Sequence, residues 1–257
     1  MDDPHGGSTS EGGKFDGSRF RDSRFEGSRF EGSRFEGTRT AGTGARQHRA
    51  LSGLGVAASI LIVLVLVYDV LHAVSDWQVY NAVEDVLAGT ATDSQIQAAD
   101  DFGRYFDGLQ ELVFLIPAGV VFLVWLWRAR ANAESLGGPG SQRRARGWAV
   151  FSWITPVANL WIPYQVVTDI WKAGTPRRPV PGPLLAVWWG AWVIGGYVGR
   201  AYTYEVTRDT FSEDDLRRAV YLGTVFVVLN VLAGVLIVYA IRQISVWQTQ
   251  RSAEALR

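Results

Sequence analysis

The sequence predicts an all-α membrane protein with four transmembrane helices, an amphipathic, proline-broken interfacial or re-entrant segment, and a disordered N-terminal tail. Three observations carry that expectation. Strongly apolar runs recur near residues 51–73, 110–127, 184–202 and 219–241, each near the roughly 20 residues that cross about 30 Å of hydrocarbon. Arginines crowd some connections and acids crowd the others, the asymmetry that orients spans in a bilayer. Between the second and third runs, Gly147 to Trp171 holds four tryptophans and two prolines, with polar residues too frequent for an ordinary span.

Composition narrows the classes. The chain of 257 residues has a formal net charge of zero, which argues against a nucleic-acid partner, whose phosphates call for a basic surplus. It has no cysteine, so disulfides, thiolate metal sites and cysteine nucleophiles are excluded.

Residues 1–48 read as a low-complexity tail. Phe15, Phe20, Phe25, Phe30 and Phe35 recur every five residues in a Phe-x-x-Ser-Arg pattern. Five matches neither the helical period of 3.6 nor the strand period of 2, so these rings share no face and bury nothing. The tail is expected to be disordered and to offer arginine and phenylalanine to protein partners through cation–π contacts. Charged repeats, in place of a short apolar core, give no expectation of a secretory signal.

The membrane domain is expected over 49–242. Span one, 51–73, follows Arg46 and Arg49 and carries Asp69 and His72 at its far end, where interfacial water is within reach. An acidic connection follows, with Asp76, Glu84, Asp85, Asp93, Asp100, Asp101, Asp107 and Glu111 against Arg104 alone. Trp77, Tyr80, Val83 and Val86 in it recur at helical spacing, so short helices are expected there. Span two ends at Trp125 and Trp127, interfacial aromatics set before Arg128 and Arg130. Arg143, Arg144 and Arg146 continue the basic connection, with Glu134 the one acid among them. Both termini and this connection are therefore assigned to the cytoplasmic side of the plasma membrane, and the acidic connection to the outside.

The central segment, 147–172, is expected not to cross, because Lys172, Arg177 and Arg178 then join the cytoplasmic set. Pro156 and Pro163 lack the N–H groups that would bond the carbonyls of Ser152 and Asn159. Broken backbone at membrane depth survives only where protein buries it or where it lines a wet cavity. Trp148, Trp153, Trp161 and Trp171 anchor the segment at the interface, while Ser152, Asn159, Gln165 and Asp169 form its candidate polar site.

Trp125 to Ala133, which contains Asn132, then Gly147-Trp148, Trp153, Pro156 to Trp161 with Asn159, Pro163-Tyr164-Gln165, Asp169 and Trp171 together resemble a bacterial, actinobacterial-type integral membrane family. That family is catalogued as domain of unknown function 4328. The resemblance runs from about Arg49 to Arg242. It implies membrane helices and this signature, and no reaction, ligand or cofactor.

In span three, Ala191, Gly195 and Gly199 make a small-residue stripe that lets another helix approach, most simply one of the same chain. In span four, mid-membrane Asn230 is expected to hydrogen-bond a neighbouring helix. Residues 243–257 form a short amphipathic cytoplasmic end. The histidines are His5, His48 and His72, and no metal spacing, phosphate-cradling loop or nucleophile elbow is present, so neither enzyme activity nor a cofactor is expected. The expected function is a non-enzymatic membrane scaffold or accessory protein touching the bilayer, with anionic lipid headgroups at its basic cytoplasmic face. The alternative is a small channel, transporter subunit or lipid-binding protein that uses the polar central segment.

Overall fold

The computed structural model describes residues 36–104, 108–138, 140–176, 183–208 and 212–254. The repeat phenylalanines Phe15 to Phe35 lie outside them, as do Arg177 and Arg178. Seven α-helices follow in order: α1 (Glu36–Leu87), α2 (Asp93–Arg104), α3 (Gly108–Gly137), α4 (Trp148–Ile154), α5 (Ile162–Gly174), α6 (Leu184–Val206) and α7 (Glu213–Glu254), with a 3₁₀ turn at Ala158–Leu160. No strand occurs among the described residues.

Three helices contain stretches long and apolar enough to cross a membrane: α1 over Leu51–Leu87, α3 over Leu112–Gly137 and α7 over Glu213–Arg251. The third expected span, α6, is a 23-residue helix that is not among them. It carries tryptophan, tyrosine and glycine at many of the positions where its three companions carry leucine, isoleucine and valine.

The helices outrun the expected boundaries. α1 starts at Glu36, inside the expected tail, and continues past residue 73 to Leu87 through the expected acidic connection. Once a helix is nucleated each added residue costs little, so apolar and helix-forming stretches propagate into polar neighbours. α2 forms separately there; Gln95 Oε1 accepts the Thr92 N–H at 3.0 Å, half of a capping box at its start. α7 likewise runs unbroken through the expected C-terminal end to Glu254. It opens on a reciprocal cap in which the Asp215 N–H donates to Ser212 Oγ (3.2 Å) and the Ser212 N–H to Asp215 Oδ2 (3.1 Å). Arg208, whose guanidinium the neighbouring Glu205 holds above its already high ordinary value, ties the end of α6 to Asp215.

α7 is the helix on which the others assemble. It runs antiparallel to α1: Ser52 meets Thr249, Asp69 meets Asn230, and the Trp77 indole donates to Thr224 at 2.9 Å. It runs parallel to α3, where the buried Trp125 donates to Ser245 Oγ at 3.2 Å and Gln248 to the Ala129 carbonyl at 3.0 Å. α6 lies antiparallel along it, Gly195 beside Leu229 and Asn230, and Gly199 beside Phe226. Small residues set these approaches: a Cβ at Gly55 would stand 2.8 Å from Ser245 Oγ, and one at Gly234 would stand 2.5 Å from Leu66. Ala191 is buried in the same α6 stripe. Such close backbone approach gives packing and short interhelical bonds, the attractions that remain when the surroundings are as apolar as the side chains.

Candidate functional site

The segment from α4 to α5 folds as a hairpin. α4 stops at Ile154, ahead of Pro156, and the Asn159 N–H returns to the Thr155 carbonyl at 2.8 Å. Pro163 falls in the first turn of α5, where its missing N–H interrupts no helical bond. Trp189 of α6 donates to the Leu160 carbonyl at 2.8 Å and fixes the hairpin tip. Around that tip Phe151, Ile154 and Val157 are exposed. The opposite end is closed by Arg143, whose Nη2 and Nε reach Asp169 Oδ1, each at 2.9 Å, while its backbone N–H donates to Oδ2 at 3.0 Å. The chain before α4 and the end of α5 therefore meet.

The arginine-rich connection turns inward onto this hairpin. Arg144 donates to Gln165 Oε1 at 3.1 Å, and Gln142 to the Asp169 carbonyl at 3.3 Å. Buried Arg130 bonds the Arg144 carbonyl at 2.8 Å and Glu134 at 3.1 Å, and Arg146 also reaches Glu134. Arg251 at the far end of α7 donates to the Ala173 carbonyl at 2.8 Å. Sequence reasoning used these arginines to orient the spans and as a basic face for anionic headgroups; the one signal for an internal role was Gln165 and Asp169 four residues apart on one helical face.

The residues singled out in the central segment, and Asn132 before it, go to the clamp, to the packed interior or to a cavity wall. Gln165 and Asp169 belong to the arginine clamp. Trp153 enters an aromatic cluster, edge-on to Phe122 (5.3 Å), Trp189 (5.8 Å) and Trp192 (5.5 Å). Trp171 is buried against Trp247 at 4.6 Å, Pro163 is buried, and Trp148 and Tyr164 pack against the core from its edge. Ser152 and Asn132 are buried, and Ser152 Oγ and Asn132 Nδ2 have no hydrogen-bond partner among the described residues. Asn159 and Pro156 face elsewhere, into a cavity.

That half-open cavity of about 900 Å³ lies between α1 and α6, over α7, with the hairpin tip contributing to its wall. Asp69, His72, Asp76, Arg200, Tyr202 and Asn159 supply its polar groups. Asp69 is 5 % exposed and accepts from Asn230 Nδ2 at 3.1 Å. Two helical turns on, Asp76 accepts from the Tyr202 hydroxyl at 3.0 Å, with His72 Nδ1 3.5 Å away. Gly223 admits this pair, since a Cβ there would stand 3.3 Å from Asp76 Oδ2. Sequence reasoning put Asp69 and His72 at a wet helix end; because α1 continues to Leu87, Asp69 is instead buried beside α7. Arg200 leans back on its own helix, donating to the Gly196 carbonyl at 3.2 Å, with its guanidinium 5.8 Å from the Tyr197 ring centre. Asn159 Oδ1 is buried and has no hydrogen-bond partner among the described residues. A second cavity of about 440 Å³, lined mainly by apolar side chains, shares Asp69, Leu115 and Trp192 with the first.

Among the described residues no three His, Asp or Glu side chains gather as a metal ion would require. No curated protein and no solved structure matches the chain. A family model does match, over residues 88–246; the hairpin, the clamp, α6 and most of α7 fall within it, whereas Asp69, His72 and Asp76 precede it. With more than half of its length matched, the chain belongs to the family described as domain of unknown function (DUF4328).

Proposed function

We propose that the chain is a non-enzymatic integral membrane protein of four spans, an accessory or scaffold protein whose 147–172 hairpin enters from the cytoplasmic side and returns to it. The observation that carries this reading is the Arg143–Asp169 clamp: a crossing segment would hold its ends about 30 Å apart, and here they touch at 2.9 Å. α6 is the third span in chain order on this reading and brings the number to four, because it lies along α7 from Gly195 to Tyr202, and a helix flanking a span is itself at membrane depth. Trp189 stands five residues into α6, so the Leu160 tip bonded to it sits about 8 Å deeper than the start of α6. The exposed apolar tip residues then meet acyl chains.

The arginine side of the molecule is assigned to the cytoplasm, which places both termini there. Much of its positive charge is spent on internal carbonyls and carboxylates, making the hairpin a rigid cytoplasmic platform. Exposed Lys172 and Arg242 are left for anionic lipid headgroups, and the repeat tail for protein partners. The titratable groups support a structural role over catalysis, since Asp169, Asp69 and Asp76 all hold helices together.

Cysteine labelling tests the topology in this cysteine-free chain. With Lys172→Cys, Ser212→Cys and Thr249→Cys in intact cells, an impermeant reagent is expected to label only the Ser212→Cys variant. Labelling of Lys172→Cys and Thr249→Cys without Ser212→Cys would overturn the returning hairpin.

A further inference from the structure

We infer that the two adjoining cavities form one binding site for an amphiphile carrying an alkylammonium group. The inference rests on the chain being membrane-embedded and is independent of the scaffold role. The larger chamber holds hydrogen-bond acceptors: the carboxylate of Asp69, which also accepts from Asn230, that of Asp76, which also accepts from Tyr202 and lies beside His72, and Asn159 Oδ1, a buried acceptor with no partner among the described residues. A ligand that matches such a surface is a donor and a cation. Aromatic side chains complete the wall, with Tyr68, Trp192, Tyr197 and Phe226 lining the same space; ring faces attract ammonium groups, more strongly once water is excluded.

Asp69 fixes where the charge sits. It stands at the junction of the polar chamber and the apolar one, so an ammonium at its carboxylate leaves an alkyl chain free to enter the 440 Å³ space between Leu66, Phe122, Trp188 and Ile237. A carboxylate away from water gains more from a cationic partner than a surface one does, since the low dielectric strengthens the attraction. Arg200 lines the larger chamber, but its guanidinium is drawn back over Tyr197 and onto the Gly196 carbonyl. That positive charge disfavours an ammonium beside it and favours the Asp69 position. The volumes, about 900 and 440 Å³, are of the size that ligand pockets occupy. Access is lateral: α1 and α6 each pack on α7, and the larger chamber lies between them.

The test uses the full chain purified in non-ionic detergent, with dodecylammonium, dodecanol and dodecanoate as probes and tryptophan fluorescence as the readout. Dodecylammonium is expected to bind about tenfold more tightly than dodecanol, the value of one charge-assisted hydrogen bond, and dodecanoate more weakly than either. Asp69→Asn is expected to remove the preference for the amine. Gly196→Leu is expected to weaken both amine and alcohol by filling the chamber; a Cβ at Gly196 meets only Arg200 Nη1, at 3.7 Å, so this variant should fold. Equal affinity for amine and alcohol in the wild-type chain overturns the inference, as does amine binding indifferent to Gly196→Leu. Should Asp69→Asn fail to fold, the wild-type comparison and Gly196→Leu decide. Native mass spectrometry of the freshly extracted chain separates the sources of the amine: a retained aminolipid supports a lipid ligand, and dodecylammonium binding without one supports a free amine. Extraction of the chain by aqueous buffer alone would sink membrane embedding itself, an outcome separate from any of these.

Discussion

Arg143 and Asp169, on either side of the hairpin, are joined by a guanidinium–carboxylate pair at 2.9 Å in which the two partners are unequally buried: the Arg143 side chain is 52 % exposed and the Asp169 side chain 7 %. The asymmetry makes the two deletions unequal. Asp169→Asn returns an exposed guanidinium to water and keeps an acceptor for the Arg143 N–H, a loss of about 1 kcal/mol. Arg143→Ala strands a buried carboxylate and should cost about 3 kcal/mol, the lower end for breaking a buried pair. Thermal unfolding in detergent compares them, and equal losses would contradict the role of burial.

Close helix approach gives a second contrast. A Cβ at Gly234 collides with Leu66 at 2.5 Å, whereas one at Gly119 meets nothing within 4 Å. Gly234→Ala should therefore destabilise by about 1–3 kcal/mol through overpacking between α1 and α7. Gly119→Ala, in the interior of α3, should be neutral or stabilising by up to about 1 kcal/mol. Unfolding midpoints of the two variants, measured together, check the order; a harmless Gly234→Ala would mean that α1 and α7 stand further apart.

The hairpin tip offers a third. Trp189→Phe keeps most of the ring contact with Trp153 and Trp192 but removes the bond to the Leu160 carbonyl, for a loss of about 1 kcal/mol. Hydrogen exchange should then quicken in residues 158–162 ahead of the rest of the chain. Asn159→Leu should do the opposite to stability, leaving it unchanged or slightly raised, because it removes a buried acceptor that has no partner among the described residues. A large loss of stability in Asn159→Leu would show that its amide oxygen is already satisfied.

Much of this architecture is legible in the sequence. Apolar length marked the cores of α1, α3 and α7, and the prolines at 156 and 163 marked where the central segment had to break. Helix ends were not legible: Glu36 and Leu87 lie far outside the expected first span because helix propagation does not stop where the apolar run does. The candidate polar site was only partly legible. Ser152, Asn159 and Asp169 share a short segment of sequence, yet α4, the turn and α5 point them to an interior position, a cavity wall and an arginine clamp.

The sequence alone determined the all-helical character and the apolar stretches, since both depend on composition and period within a window of about 20 residues. Only the tertiary structure decided that Arg143 closes on Asp169, that Asn230 meets Asp69 across 161 positions, and that Asp76 and Tyr202 face one cavity. The physical reason is that such pairings depend on which faces of separate helices come together. That choice is made by glycine-sized gaps such as Gly55, Gly223 and Gly234 and by the aromatic side chains packed around them, and no local pattern of residues encodes it.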